Sequence, residues 1–227
     1  MSQFHQQLQD ATVADRDYIT SAPIIQQALA STITREHYAA FLLQAYHHVR
    51  HTTPLLMACG GRLDSSYEWL RNAVAEYIEE ELGHQEWVLN DIEAAGFDKE
   101  IARTSTPNPA TELMVSYAYD TIARINPLGF FGMVQVLEGT SVRIADAAAD
   151  AIQSTTGLPN RAFSYLRSHG ALDQDHVKFF ADIMNKIEKP DDQQAIIHAA
   201  KMFYQLYGNV FRSIEPKQAL QLERAKQ

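Results

Sequence analysis

The chain is poor in the residues that would tie it to several whole classes of protein. Among 227 residues there is a single cysteine, Cys59, so no disulfide can form within the chain, and a stapled secreted scaffold is excluded. Lysine and arginine number 19 against 28 aspartates and glutamates, a formal charge of -9, and no run of basic residues stands out. A nucleic-acid or anionic-membrane partner usually needs a basic face, so neither is expected. No stretch approaches the ~18 uninterrupted apolar residues of a membrane span, and the polar start MSQFHQQLQDATVADRDY lacks the apolar core of a signal peptide. The expectation is a soluble, cytoplasmic protein. Period-2 alternation bounded by hairpin turns is also missing, so strands are not needed.

What remains is helix after helix. Thr34 can cap a helix running to about Cys59, before Gly60-Gly61. Ser65 and Glu68 form an S-x-x-E capping box that opens a long helix ending near Gly96. Asn108-Pro109 and Asn126-Pro127 each pair an N-cap with proline at the first helical position, opening helices of about 15 and about 27 residues. Leu158-Pro159-Asn160 opens a helical region reaching about Ile187, with Gly170 as a point where it can break. Pro190-Asp191-Asp192 starts a last long helix extending to about Ile214. One or two shorter helices fit the first 30 or so residues. With 46% hydrophobic residues and no linker or repeat, the pattern predicts an all-α, single-domain bundle of about seven helices across residues 1–227.

On helical wheels, polar residues fall where the core should be. The stripe Leu70, Val74, Tyr77, Glu81, His84, Val88, Ile92 holds a carboxylate and an imidazole at positions suited to leucine. Glu138 shares a face with Phe131, Val134, Val142 and Ala145. His176 falls on the stripe Leu172, His176, Phe180, Ile183, Ile187, and His169, Asp173 and His176 lie within roughly 60° of one another around the helix. A buried carboxylate costs several kcal/mol unless it is paired. The same faces carry too few basic residues, and Arg143 points away from Glu138. Taken singly, each of these residues reads as an ordinary core polar group, bonded to one of the ten tyrosines or to an arginine. Taken together, they point to a cation held by carboxylate and histidine ligands, which suits iron, manganese or zinc.

Three stretches, YIEEELGHQEWVLNDIEAAG (77–96), NPLGFFGMVQVLEGTS (126–141) and HGALDQDHVKFF (169–180), resemble those of the haem-oxygenase-like diiron oxidases and oxygenases. That family shares its fold with the TenA thiaminases and the pyrroloquinoline-quinone synthase. The likeness spans residues 35–187 and implies a haem-oxygenase-like bundle. It implies a metal site made by Glu81, His84, Glu138, His169, Asp173 and His176, holding one or two iron ions, with manganese or zinc as substitutes. It implies an enzyme that activates O2 to oxidise a small organic substrate of the fatty-acid, amino-acid or amine class. A homodimer and a redox partner that delivers electrons are further implications. Relatives bring another carboxylate from the first core helix, but YAAFLLQAYHHVRHTTPLL (38–56) has no acid. His48 shares the inner stripe with Phe41, Ala45, Thr52 and Leu55, and His51 is the alternative. Three rival readings stand beside this one. Cys59 could be the nucleophile of a metal-free, TenA-like hydrolase of aminopyrimidines related to thiamin. His48 or His51 could be an axial ligand to haem. The chain could be a non-catalytic binding protein that kept the fold.

Overall fold

The computed structural model describes residues 3–171 and 173–223; the side chains of residues 169–176 lie outside that description. Every regular element among the described residues is helical. Three short helices open the chain, α1 (Phe4–Ala11), α2 (Val13–Thr20) and α3 (Pro23–Leu29). They are followed by α4 (Arg35–Val49) and α5 (Thr52–Arg62), then α6 (Glu68–Glu81), α7 (His84–Ala94), α8 (Lys99–Thr104) and α9 (Pro109–Asp120). The chain continues through α10 (Phe130–Thr156), α11 (Ser164–Ala171), α12 (Asp173–Asn185), α13 (Pro190–Arg212) and α14 (Lys217–Leu220). No helix among the described residues is long and apolar enough to cross a membrane.

The starts of these helices follow local chemistry. The Thr34 side chain accepts from His37 N at 3.3 Å, and the Asn108 side chain from Thr111 N at 2.9 Å. Asn126 accepts from Leu128 N at 2.9 Å and opens one 3-10 turn before α10. At the start of α6 the cap is Asp64, one residue before the expected Ser65; its carboxylate accepts from Ser66 N at 2.8 Å, and a 3-10 turn precedes Glu68.

Two helices expected to be continuous are broken. The first divides between α4 and α5 at Arg50-His51. Pro54 has no N–H to return to the Arg50 carbonyl, and its ring crowds that carbonyl, so the helix is interrupted for two residues, restarts at Thr52 and then runs through Gly60-Gly61 to Arg62. The second divides between α6 and α7 at Leu82-Gly83. Leu82 is extended at ψ 118 and Gly83 is left-handed at φ 92. Glu79, Glu80 and Glu81 crowd negative charge at the negative end of α6, which disfavours another turn there, and Gly83 takes a conformation that residues with a Cβ rarely adopt.

One continuous hydrophobic core runs through the helices, with α10 at its centre against α13, α11 and α3. The approach of α10 to α13 is set by Gly132, where a Cβ would sit 2.5 Å from Ala200 N and 2.8 Å from Ile196 O. Most of the stripes read from the wheels are buried, including Leu70, Val74, Tyr77, His84, Val88 and Ile92. Val142 is the exception on α10: it is 41% exposed, turned out beside the exposed Arg143.

Candidate metal centre

Helices α4, α5, α6, α10, α11 and α13 surround a cavity of about 70 Å³, room for a handful of water-sized groups. His48 enters from α4, Glu81 and Tyr77 from α6, Glu138 from α10, Tyr165 from α11 and Tyr207 from α13. The rest of the wall includes Leu55, Leu56, Phe130, Met133 and Val134, and among the described residues no lysine or arginine lines it. Three of the residues singled out from the sequence therefore meet at one space, from three helices.

The electrostatics are those of an acidic pocket. Burial, and next the charge of Glu138, hold the Tyr77 phenol far above the usual tyrosine range. Tyr165 is raised by burial, then by Tyr207 and by the charge of Glu81. Tyr207 is raised by burial. All three phenols stay protonated at neutral pH.

His84 meets Glu81 across the break between α6 and α7, its Nδ1 3.0 Å from Glu81 Oε2. The Glu-x-x-His motif is thus a joint between two helices, where one turn of a single helix was expected. The His84 ring is 4% exposed and stacks on Trp87, with centroids 4.1 Å apart. His48 is buried, edge-on to Tyr207 with ring centroids 5.6 Å apart. His51 does not line the cavity; its Nδ1 lies 3.1 Å from the Tyr119 hydroxyl of α9. Its neighbour His47 is turned to Ser105, with Nε2 to Oγ at 2.9 Å. The Ser105 hydroxyl donates to the Ala102 carbonyl at 2.7 Å, so its oxygen accepts from His47 Nε2–H. Burial, with help from Arg50 and His51, pushes the His47 imidazole down to about 4.

His169, Asp173 and His176 lie outside the described side chains. The helices that carry them, α11 and α12, are packed on α10, and Phe179 of α12 sets its ring 5.3 Å from that of Tyr77. Phe179 thus touches one residue of the cavity wall. Among the described residues, no three His, Cys, Asp or Glu side chains come close enough to hold a metal ion. The donor types nonetheless suit a cation: two carboxylates and an imidazole face one space, and its described wall carries no lysine or arginine.

Cys59 sits elsewhere. It is fully buried in α5, its Sγ donates to the Pro127 carbonyl at 3.3 Å, and burial pushes its thiol up to about 12. It does not line the cavity, and a thiol so hard to ionise is a poor nucleophile.

The wheels did not find Tyr165, Tyr207 or Asp91. Asp91 of α7 is fully buried and caps α11 from outside, accepting from Ser164 N at 3.0 Å, Ser164 Oγ at 2.5 Å and Tyr165 N at 2.8 Å. It fixes the start of α11 and, through it, the place of Tyr165. The available signal was an acid between Val88 and Ile92 in a buried stripe, together with a serine opening a later helix.

Residues 39–208 match the model of a family described as iron-containing redox enzymes. The chain belongs to that family. No curated protein matches the sequence. Three solved structures show that this iron-containing redox enzyme has the haem-oxygenase-like fold. A domain of unknown function with a haem oxygenase-like fold from Shewanella denitrificans is 22% identical with a TM-score of 0.84, over 100% of this chain and 98% of that one. A TenA homologue from Pseudomonas syringae is 13% identical with a TM-score of 0.74, over 95% and 93%. Haem oxygenase-1 from the cyanobacterium Synechocystis, solved in complex with haem, is 10% identical with a TM-score of 0.75, over 96% of each chain.

Proposed function

We propose that this family member is a non-haem iron oxidase or oxygenase that uses O2 to oxidise a small organic substrate in the cavity between α4, α6 and α10. The observation that carries the reading is the pair Glu81 and Glu138, facing one cavity with His48 and, among the described residues, no basic side chain. Oxygen and nitrogen donors brought to one space are a set that suits iron. Glu81, His84 and Glu138 would hold it with His169, Asp173 and His176, and His48 stands where relatives bring an acid. Iron, when bound, supplies redox chemistry with O2 at coordination positions the protein leaves open.

The chain's own residues supply the surroundings. The Trp87 ring stacked on His84 at 4.1 Å holds the plane of the imidazole. Tyr77 and Tyr207 keep their protons at neutral pH and so present hydrogen-bond donors to a bound molecule. Leu55, Leu56, Phe130, Met133 and Val134 exclude water from the reacting end of the substrate.

Anaerobic titration with Fe(II), read as bound iron per chain, tests the proposal. At least one equivalent is expected, with binding lost in Glu81→Ala and Glu138→Ala. Less than about half an equivalent, unchanged by either substitution, refutes it. A Soret band on adding haemin, with no Fe(II) bound, would favour the haem reading instead.

A further inference from the structure

A separate cavity of about 20 Å³, room for one or two water-sized groups, opens between α2, α10 and α13. It shares no lining residue with the cavity that Glu81 and Glu138 face. Two arginines line it, Arg16 from α2 and Arg143 from α10, and among the described residues no Asp or Glu does. Neither arginine has a carboxylate within ion-pairing distance among the described residues. That is unexpected in a chain of formal charge -9, where acids are plentiful and two cations facing one small space repel.

The donors around this space are also under-used. Arg16 Nη2 donates to the Gln9 carbonyl at 2.5 Å and to Gln9 Oε1 at 2.6 Å, but the Arg16 Nε–H is buried with no partner among the described residues. Tyr204 of α13 is only 3% exposed and lines the cavity, and no described group hydrogen-bonds its hydroxyl. Buried donors without acceptors are costly, and a native fold rarely keeps them without a use. The Thr140 hydroxyl, which also lines the space, is already committed to the Val136 carbonyl at 2.6 Å.

We propose that this cavity is a binding site for a small oxyanion, a carboxylate or phosphate group that enters past the exposed Arg143 and is held by Arg16, Arg143 and the Tyr204 hydroxyl. A guanidinium offers donors alone, in a fork that matches the paired oxygens of either group. A cation would meet two positive charges there. The space admits the oxygens of the anionic head, and the rest of the ligand stays in solvent. Because its holders stand on α2, α10 and α13, a bound anion ties the amino-terminal helices to the long helix that carries Glu138. The site is independent of whether the chain binds iron.

Calorimetric titration of the full chain with sodium phosphate and with sodium acetate, at constant ionic strength and with chloride as the reference anion, tests the proposal. One saturable site per chain is expected for at least one of the two, and the tighter identifies the head group. Arg143→Gln and Tyr204→Phe are each expected to weaken it about tenfold, the loss of one hydrogen bond to a charged group. Arg161→Gln, which removes an exposed arginine away from the cavity, should keep the wild-type affinity. Thermal unfolding gives a second readout: the same anion should raise the wild-type midpoint by more than that of Arg143→Gln. Arg143 is exposed and Tyr204→Phe removes a single oxygen, so both variants are expected to keep their helical circular dichroism. No saturable binding of either anion to the wild-type chain in the millimolar range overturns the proposal. So does an affinity unchanged in both variants, or an equal loss in Arg161→Gln.

Discussion

Replacing Asp91 by asparagine removes a charge and turns one acceptor into a donor at a place where only acceptors fit. In the native fold the carboxylate accepts three hydrogen bonds at the first turn of α11, two from backbone N–H groups and one from the Ser164 hydroxyl. Burial raises the Asp91 carboxyl above the usual aspartate range despite these bonds, so the charge itself is under desolvation stress. The pair is nevertheless costly to break from one side. Asparagine keeps one oxygen for Ser164, but sets an NH2 group against the N–H of Tyr165. One hydrogen bond to a charged group is lost, worth about 1.5–3 kcal/mol, and one buried N–H is left unsatisfied, at about 1–3 kcal/mol. A net loss of about 3 kcal/mol is expected, a large share of the usual 5–15 kcal/mol of a domain. With a urea slope of about 2 kcal/mol/M, the unfolding midpoint should fall by about 1.5 M. Ser164→Ala, which removes only the hydroxyl bond, should cost about 1 kcal/mol. Urea denaturation followed by circular dichroism reads all three proteins. A midpoint for Asp91→Asn within about 0.3 M of wild type would refute the assignment of Asp91 as the cap that holds α11.

Two further outcomes follow from packing and burial. Gly132→Ala should destabilise by about 3 kcal/mol, because its Cβ meets the backbone of α13 at Ala200 N and Ile196 O, whereas Gly61→Ala, with nothing within 4 Å, should be neutral or stabilising by about 0.5 kcal/mol; thermal unfolding compares them. Cys59, pushed up to about 12, should resist alkylation at pH 8 in the folded protein and react only on unfolding; because the fold holds the thiol proton more tightly than the unfolded chain does, its contribution to stability is complete below about pH 9 and is lost as pH rises toward 12.

How much of this was legible depends on whether the signal was local. Thr34, Asn108 and Asn126 act within three residues of themselves, and each caps where its neighbours predict. Glu138 lies inside an unbroken helix of 27 residues, so the wheel could place it on the inward side, where it lines the cavity. The same wheel carried Val142 inward, but the stripe is narrower there and Val142 faces out. Periodicity also read straight through Pro54 and Gly83, because a brief interruption leaves the residues on either side buried and the apolar pattern nearly in phase. Tyr165, Tyr207 and Asp91 were out of reach for another reason. Their roles are set by partners in other helices, some of them more than seventy positions away in the chain, such as Ser164 for Asp91, and no single-helix pattern encodes that.

The left-handed turn at Gly83 has a mechanical consequence. Two donors three positions apart in one unbroken helix are carried by one stiff rod, and the distance between them is nearly fixed. Here Glu81 ends one rod and His84 begins another, so a ligand gripped by both is a strut across an articulated corner. Its binding would lock the angle between α6 and α7, and that angle would tune the grip. Since α7 also carries Asp91, the strut would brace the start of α11 and, with it, Tyr165 in the cavity wall.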